Sequence, residues 1–369
     1  MKKRILPSRN YYVFRSISES FNAGSKAKID CEIVFKNLSL VPIQIFALKK
    51  GSKKKIERYV RRIKRLIELL LFTIRGLLTN EYLHSNVVYQ TVDPTSDLLF
   101  ALALRVLFRH GKRIIVVHDL ESLRTRKLSH FFKEKITLRC FTHAILHSRE
   151  MESFVREKMN FKGKTFILGF FDYLVSTDKI RHCDEEKFTF PQNGRFVIVY
   201  AGNLSKEKSG FLYKLLQRKD PPSNYQLVLF GKGYDPGIQA SFVEYAGAFP
   251  PDDLPKYIKG HFGLVWDGDE VNGIGGRTGE YLRYNSPHKA SLYVVSGLPI
   301  ISWSGAAIYK YIEEYDIGFG VESLEELDER LKTISEDDYK RWKKNILDLS
   351  RRLSKGENLA SILREIMDI

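Results

Sequence analysis

Cysteine is scarce in this chain: there are three in 369 residues, Cys31, Cys140 and Cys183. They show neither the close pairing of a metal site nor the dense, even spacing of a disulfide framework. A stapled secreted scaffold is thereby excluded, a reducing compartment suits the chain, and each thiol reads as a small buried hydrophobe. Long apolar runs are missing too. No stretch approaches ~20 uncharged apolar residues, so no segment is expected to span a bilayer. The basic residues 1–4 lead into no apolar core, so no secretory signal is expected. Acid is the third shortage. Asp and Glu number 44 against 60 Lys and Arg, and the net charge of +16 asks for an anionic partner. Nucleotide, nucleic acid and acidic lipid all meet that demand. No zinc spacing, RNA-binding aromatic signature or Walker lysine accompanies the charge, which weakens the nucleic-acid reading.

What is present fits a large α/β protein. At 369 residues the chain exceeds what one compact core usually serves, and its 43% hydrophobic content can fill two. Short apolar runs predict strands over residues 11–14, 86–91, 113–117, 142–147 and 165–168 in the first half. In the second half they fall at 196–200, 226–230, 243–245, 262–266, 300–303 and 318–321. Residues 113–117 (RIIVV) are apolar on both faces, as a buried parallel strand should be. Helices are expected between them, among them 26–35 with Ser25 as cap, 98–108 and 150–159, and a charged amphipathic pair closes the chain over 335–369. Repeated strand–loop–helix order in two halves argues for an α/β fold of two doubly wound parallel sheets. The expected boundaries are a first domain at 1–175, a polar linker at 176–189 and a second domain at 190–349.

The most informative pattern is residues 281–299, YLRYNSPHKASLYVVSGLP. Asn285, Ser286, Pro287, His288 and Lys289 form a polar turn stiffened by proline. Residues 290–295 continue as an apolar helix, Gly297 and Pro299 end it, and 300–303 make a buried strand. Pro287 suits a first helical turn, because the donor it lacks would be unpaired there. Backbone N–H groups at such a start, beside His288 and Lys289, make an anion site. A helix cap with one snorkelling lysine is the plain alternative. The order of turn, helix, Gly-Leu-Pro and strand favours a diphosphate seat.

Together with Val265–Trp266–Asp267 and Gly279–Glu280–Tyr281, this stretch resembles the bacterial glycosyltransferases of the glucosyltransferase 3 and β-1,6-galactofuranosyltransferase type. Asn22–Ala23–Gly24, residues 118–124 (HDLESLR) and residues 200–204 (YAGNL) carry the resemblance through both halves, most weakly over 40–85. These are GT-B enzymes that use UDP-sugars to build surface glycans. The resemblance implies two Rossmann-like domains facing a cleft, with a last helix, residues 350–369, crossing back onto the first. It implies transfer of a hexose (galactofuranose, galactose or glucose) to a glycan acceptor on lipid or protein, with inversion at the anomeric carbon. It also implies self-association and work at the cytoplasmic face of the plasma membrane. No cofactor is expected beyond the UDP-sugar donor itself.

Gly202, Asn203 and Lys206 follow a strand of the second half, where a glycine and a cation suit the β-phosphate. Lys208 is the alternative cation, and either lysine could equally be plain surface. Gly231 and residues 245–254 lie where GT-B folds hold the base, so Tyr245 or Phe249 is expected to pack on uracil, unless it belongs to the core. Asn285, His288 and Lys289 take the diphosphate, with Tyr284 beside them. Glu280 meets donor-sugar hydroxyls or stays a surface carboxylate. Gly24 lets backbone approach a ligand or simply turns the chain. Asp267–Gly268–Asp269 has the spacing of a metal-binding pair, but it lies in a Gly-rich loop, and Lys289 with the helix start can neutralise the diphosphate alone. No metal site is expected. An inverting transfer needs a base within reach of the acceptor hydroxyl. Asp119, at the end of strand 113–117, is the first candidate, His118 the second and Glu121 the third. Helix capping is the competing role for Asp119.

Residues 53–78 have an unusual composition. Lys53, Lys54, Lys55, Arg58, Arg61, Arg62, Lys64 and Arg65 gather around Glu57. Ile56, Val60, Ile63, Ile67, Leu70, Leu71 and Ile74 recur at helical spacing. Such a helix either lies on an anionic membrane, at ~1 kcal/mol per basic residue, or turns its apolar side to a core. The lipid-linked acceptor implied by the resemblance brings in the first. The alternative to the whole reading is a basic nucleic-acid-binding α/β protein without glycosyl transfer. Steeply salt-dependent binding to random DNA, unaffected by UDP, would mark it.

Overall fold

The computed structural model describes residues 9–14, 23–45, 55–176, 189–191 and 195–369. The expected linker lies outside them except at its two ends, as do Cys183, Lys53 and Lys54. The chain divides into two units: residues 1–20, 28–168 and 359–369 form the first, and 21–27 with 169–358 the second.

The first unit holds strands β1 (Asn10–Phe14), β2 (Val41–Gln44), β3 (Asn86–Gln90), β4 (Arg113–Val116), β5 (His143–Leu146) and β6 (Lys164–Ile167). They lie in the order β2-β1-β3-β4-β5-β6, and every pair is parallel. Val87, Val88, Ile114 and Ile115 are fully buried, as their two-sided apolar pattern requires. β2 has no counterpart among the sequence expectations. Its Pro42 suits the sheet edge, where a missing donor breaks no inner ladder. The helix Ala23–Asn37 begins ahead of the expected cap, so Gly24 and Ser25 are helical. Asp93 starts the helix Pro94–Leu107 by accepting from Thr95 N and Ser96 N, with Pro94 in the first turn. At the other end of the chain, Lys112 Nζ donates to Ile366 O at 2.6 Å and so ties residues 359–369 to this unit.

The helix Lys55–Thr79 differs from a core-facing one. Val60, Ile63, Ile67, Leu70, Leu71 and Ile74 are between 41% and 60% exposed, whereas Leu69 and Gly76 are the buried positions among its described side chains. Gly76 makes the packing: a Cβ there would stand 2.7 Å from Leu107, so the two helices approach closely at that point. Phe72 adds a ring contact with Tyr82 at 5.5 Å. The apolar stripe therefore points outward.

The second unit holds β7 (Phe196–Ala201), β8 (Tyr225–Phe230), β9 (Val243–Gly247), β10 (Phe262–Val265), β11 (Ile300–Trp303) and β12 (Gly318–Val321). The order is β12-β11-β10-β7-β8-β9, again all parallel. The chain runs outward from β7 to β9, returns to β10 on the other side, and runs outward again. The gap between the carboxyl ends of β7 and β10 is thus the topological switch point, where open α/β sheets bind ligands. The helix His288–Val295 packs beside it. Pro287 is the N-cap of that helix instead of a first-turn residue. Gly297, at φ +70°, adopts the left-handed conformation that ends the helix before β11.

Candidate functional site

Lys289 occupies the switch point of the second unit. Its ammonium donates to Asp267 Oδ1 at 2.9 Å, to Trp266 O at 3.0 Å and to Tyr200 OH at 3.2 Å. It lies 4.3 Å from the centre of the Tyr200 ring, with 11% of the side chain exposed. Tyr200 is the next-to-last residue of β7, and Trp266 and Asp267 directly follow β10, so each acceptor comes from the carboxyl end of a strand. A buried ammonium without partners would be costly, and these acceptors match its three donors. Burial, and then the Asp267 charge, keep the Tyr200 hydroxyl far above its usual pKa, so it stays protonated. The exposed Gly202 covers this group: a Cβ there would come within 3.7 Å of Lys289 Nζ. Gly231 is fixed by the same loops, since at φ +140° a Cβ would stand 1.7 Å from Gly202 O.

The other expected donor residues are distributed around this centre. Asn203 Oδ1 accepts from Ser205 N at 2.9 Å and shapes the turn. Lys206 pairs with Asp235 at 3.0 Å and is 58% exposed. Tyr245 donates to Gly231 O at 2.9 Å while its ring stacks on Tyr234 at 4.8 Å. Phe249 stacks on Tyr257 at 4.0 Å. Glu280 is bound to Arg283 at 3.2 Å. Tyr284 is half-buried one residue before Asn285, whose Oδ1 is buried without a hydrogen-bond partner among the described residues.

His288 departs from its expected part in the anion site. Its Nε2 lies 3.3 Å from Asp172 O, an acceptor only, so the proton sits on Nε2. Nδ1 is buried without a hydrogen-bond partner among the described residues, and the ring stacks on Tyr173 at 4.9 Å. Burial, with the Lys26 charge adding to it, lowers the pKa to about 3. A neutral ring whose N–H faces a carbonyl gives a phosphate no donor. Asp267 likewise faces Lys289 and Tyr200, and Asp269 lies against Gly275 and Gly276. Among the described residues, no group of three His, Cys, Asp or Glu side chains could hold a metal ion.

In the first unit the loop after β4 carries the expected bases. His118 N donates to Thr91 Oγ1 at 2.8 Å, and His118 Nε2 meets Gln90 Oε1 at 2.7 Å, both partners lying at the end of β3. Arg124 bridges two carboxylates, Glu121 at 2.6 Å and Asp119 at 3.1 Å. The helix Glu121–Thr125 has Leu120 at its N-cap, one residue after Asp119, and the Leu120 side chain makes no cap bond. Glu134 of the helix Leu128–Leu138 substitutes, its carboxylate oxygens taking Ser122 N at 3.3 and 3.2 Å. His118, Asp119, Glu121, Glu134 and Thr137 line one recess of this unit.

Sequence reasoning missed Glu134, Gln90 and the hydroxyl of Tyr200. Glu134 did leave a signal. It stands between Phe131 and Leu138 at helical spacing, where the inward face calls for an apolar residue.

Two family models match the chain: the glucosyltransferase 3-like N-terminal domain over residues 10–170 and the glucosyltransferase 3-like C-terminal domain over 198–366. The β-1,6-galactofuranosyltransferase WbbI of Escherichia coli strain K12 is 29% identical over 352 residues, 94% of this chain and 95% of WbbI. Glucosyltransferase 3 of Streptococcus parasanguinis is 29% identical over 119 residues, 32% of this chain and 34% of that protein. Among solved structures, sucrose-phosphate synthase from Thermosynechococcus elongatus superposes with a TM-score of 0.60 at 11% identity, over 98% of this chain and 100% of that one. Anabaena HepE in complex with UDP gives 0.58 at 12% identity, over 98% of each chain. Likeness at such identities speaks for the fold, which is GT-B.

Proposed function

Since the chain belongs to the glucosyltransferase 3-like family of glycosyltransferases, we propose that it moves a hexose from a UDP-sugar to a glycan acceptor, with inversion and without a bound metal ion. The donor belongs to the second unit. Its diphosphate lies over Gly202 at the start of the helix His288–Val295, where helical N–H groups and Lys289 face developing negative charge. The observation that carries this reading is the placement of Lys289 at the β7/β10 switch point. With no donor present Asp267 balances the ammonium. When diphosphate arrives, Lys289 exchanges the Tyr200 or Trp266 acceptor for a phosphate oxygen and keeps Asp267. That pairing also argues against a cation at Asp267–Gly268–Asp269, because one of the two carboxylates is already engaged.

In the first unit Asp119 takes the proton of the acceptor hydroxyl as that oxygen forms its bond to the anomeric carbon and the bond to UDP breaks. Arg124 holds Asp119 and Glu121 apart from one another's charge, and Gln90 fixes the ring of His118. Tyr245 stays the candidate for uracil, being half-exposed and oriented by Gly231. The acceptor is a growing surface glycan, lipid-linked, at the cytoplasmic face of a membrane. The outward apolar stripe of the helix Lys55–Thr79 supports a peripheral contact there. No helix among the described residues is long and apolar enough to cross a bilayer.

The test is a panel of UDP-sugars, with UDP as reference, read as thermal stabilisation. Ligand at 100 times Kd adds ~2.7 kcal/mol. The rise is expected with UDP and is larger with one UDP-hexose. No rise with any of them at millimolar concentration would sink the proposal.

A further inference from the structure

Glu134 takes no part in the reaction proposed above, and it is an unexpected carboxylate. It is 8% exposed, on the inward face of the helix Leu128–Leu138. Both of its oxygens approach Ser122 N, and the backbone N–H of Glu121 is a further donor to it. Ser122 is the second residue of the helix Glu121–Thr125, whose own N-cap side chain supplies no bond. A carboxylate from the next helix therefore closes a helix start that its local sequence leaves open. The same five residues carry Glu121 and Arg124, and Arg124 reaches Asp119. Displacing Ser122 would displace the anchor of both carboxylates.

We infer that Glu134 is a positioning residue for the acceptor-side carboxylates, holding the Asp119–Arg124 cluster when ionised and releasing it when protonated. The inference rests on the reading of Asp119 as the base. Several charged or titratable groups share its recess. His118 and Asp119 come from the loop after β4, Glu121 from the helix Glu121–Thr125, Asp93 and Asp97 from the start of the helix Pro94–Leu107, and Lys28 from the helix Ala23–Asn37. Burial is the main reason the Glu134 carboxyl is pushed up to about 7, the bonds from Ser122 oppose it, and the Glu121 charge raises it further. A protonated carboxyl has a second use nearby. Thr137, one turn along and on the same recess, has a buried hydroxyl oxygen without a hydrogen-bond partner among the described residues. Ionised Glu134 binds Ser122 N; the protonated form can donate to a hydroxyl and loosen that cap.

Glu134→Gln in the full chain tests this. The amide keeps the shape and one acceptor oxygen but no longer titrates. Turnover of wild type should fall on the acid side of a limb near pH 7, by ~10-fold per pH unit. In Glu134→Gln that limb should vanish or move at least one unit toward acid, with the donor KM within twofold of wild type. An unchanged limb overturns the inference. Should the variant not fold, the wild-type carboxyl can be titrated directly by carbon-13 NMR of labelled Glu. A midpoint near 7 accompanied by amide shifts at Ser122 and Arg124 supports the inference, and a midpoint below 5 overturns it. Asp119→Asn separates the two ideas. If Asp119→Asn is dead while Glu134→Gln matches wild type, only the positioning role fails. If Asp119→Asn is active, only the base assignment fails, and the Glu134 limb and the NMR midpoint still decide the rest.

Discussion

At the switch point of the second unit the strong charge is matched before any ligand arrives: Lys289 faces Asp267, Tyr200 and Trp266 O, nearly out of water. The segment after β4 in the first unit is built the other way. Asp119 and Glu121 share Arg124 at 44% and 27% exposure, and the buried member of the group, Glu134, is a carboxyl that titrates near neutrality. One site, proposed above as the seat of an anion, is balanced in charge within its own unit. The other is a partly solvated acid cluster whose geometry depends on a proton. A donor diphosphate is the same for every UDP-sugar, so a fixed seat serves it. An acceptor hydroxyl must give up its proton in the transition state, which calls for a group that is ionised, reachable and held in place.

The largest expected effect breaks the acceptor side alone. Asp119→Asn should lower kcat by ~10²–10⁴-fold, the usual contribution of a general base, and leave UDP affinity unchanged in calorimetry. Retained turnover would pass the role to Glu121 or His118. The next breaks the donor side alone. Lys289→Met should weaken UDP by ~10²–10³-fold and destabilise the fold by ~3–5 kcal/mol, because Asp267 is left as a buried carboxylate without its counter-ion. Adding Asp267→Asn should restore most of the stability and none of the UDP affinity. If affinity returned with stability, Lys289 would be a structural ion pair and no ligand to the donor.

Acid should separate the two units as well. His288 and His261 of the second unit are held neutral by burial, at about 3 and about 4. Their native pKa values are depressed, so the unfolded chain binds protons that the native unit refuses, and stability falls as pH drops below ~6.5. Glu134 works in the opposite sense. Its native pKa of about 7 exceeds the ordinary 4.5, so its contribution is largest below 4.5 and is lost as pH rises to 7. His147 of the first unit, at about 4, offsets part of that. Amide exchange between pH 7 and 5 should therefore show the second unit losing protection faster than the first. Glu134→Gln should flatten the Glu134 contribution, on the order of 3 kcal/mol at most between pH 4.5 and 8. Equal loss in both units would erase the contrast.

Much of the fold was legible because parallel strands buried on both faces are continuous apolar runs: RIIV of β4 and FVIVYA of β7 admit little else. β2 was not legible, being four residues with a proline, on an edge where register demands little. Lys289 was legible because turn, helix and strand follow one another in sequence. Its partners were not, since Tyr200 looks like any core aromatic and Asp267 like half of a metal pair. His288 misled for a related reason: an imidazole beside a lysine suggests a cation, and only the stack on Tyr173 and the Asp172 carbonyl reveal a neutral ring. Glu134 bonds a donor twelve residues away, and no local pattern announces such a pair.

The smallest expected effect concerns the outer surface of the first unit. The stripe Val60–Ile63–Ile67–Leu70–Leu71–Ile74 faces outward, and Leu102 and Val106 of the helix Pro94–Leu107 are exposed as well, at 45% and 40%. Isolated exposed leucines need no explanation, but a stripe along a 25-residue helix does. The basic sequence of that helix matches an anionic bilayer better than it matches another copy of a chain with net charge +16. Leu70→Glu with Leu71→Glu should cut co-sedimentation with vesicles containing anionic lipid by about tenfold, a change of ~1.4 kcal/mol, and leave UDP affinity unchanged. Loss of a dimer on light scattering, with vesicle binding intact, would instead assign the stripe to self-association. Either outcome sharpens the contrast between the buried, internally paired Lys289 of the second unit and the outward apolar stripe of the first.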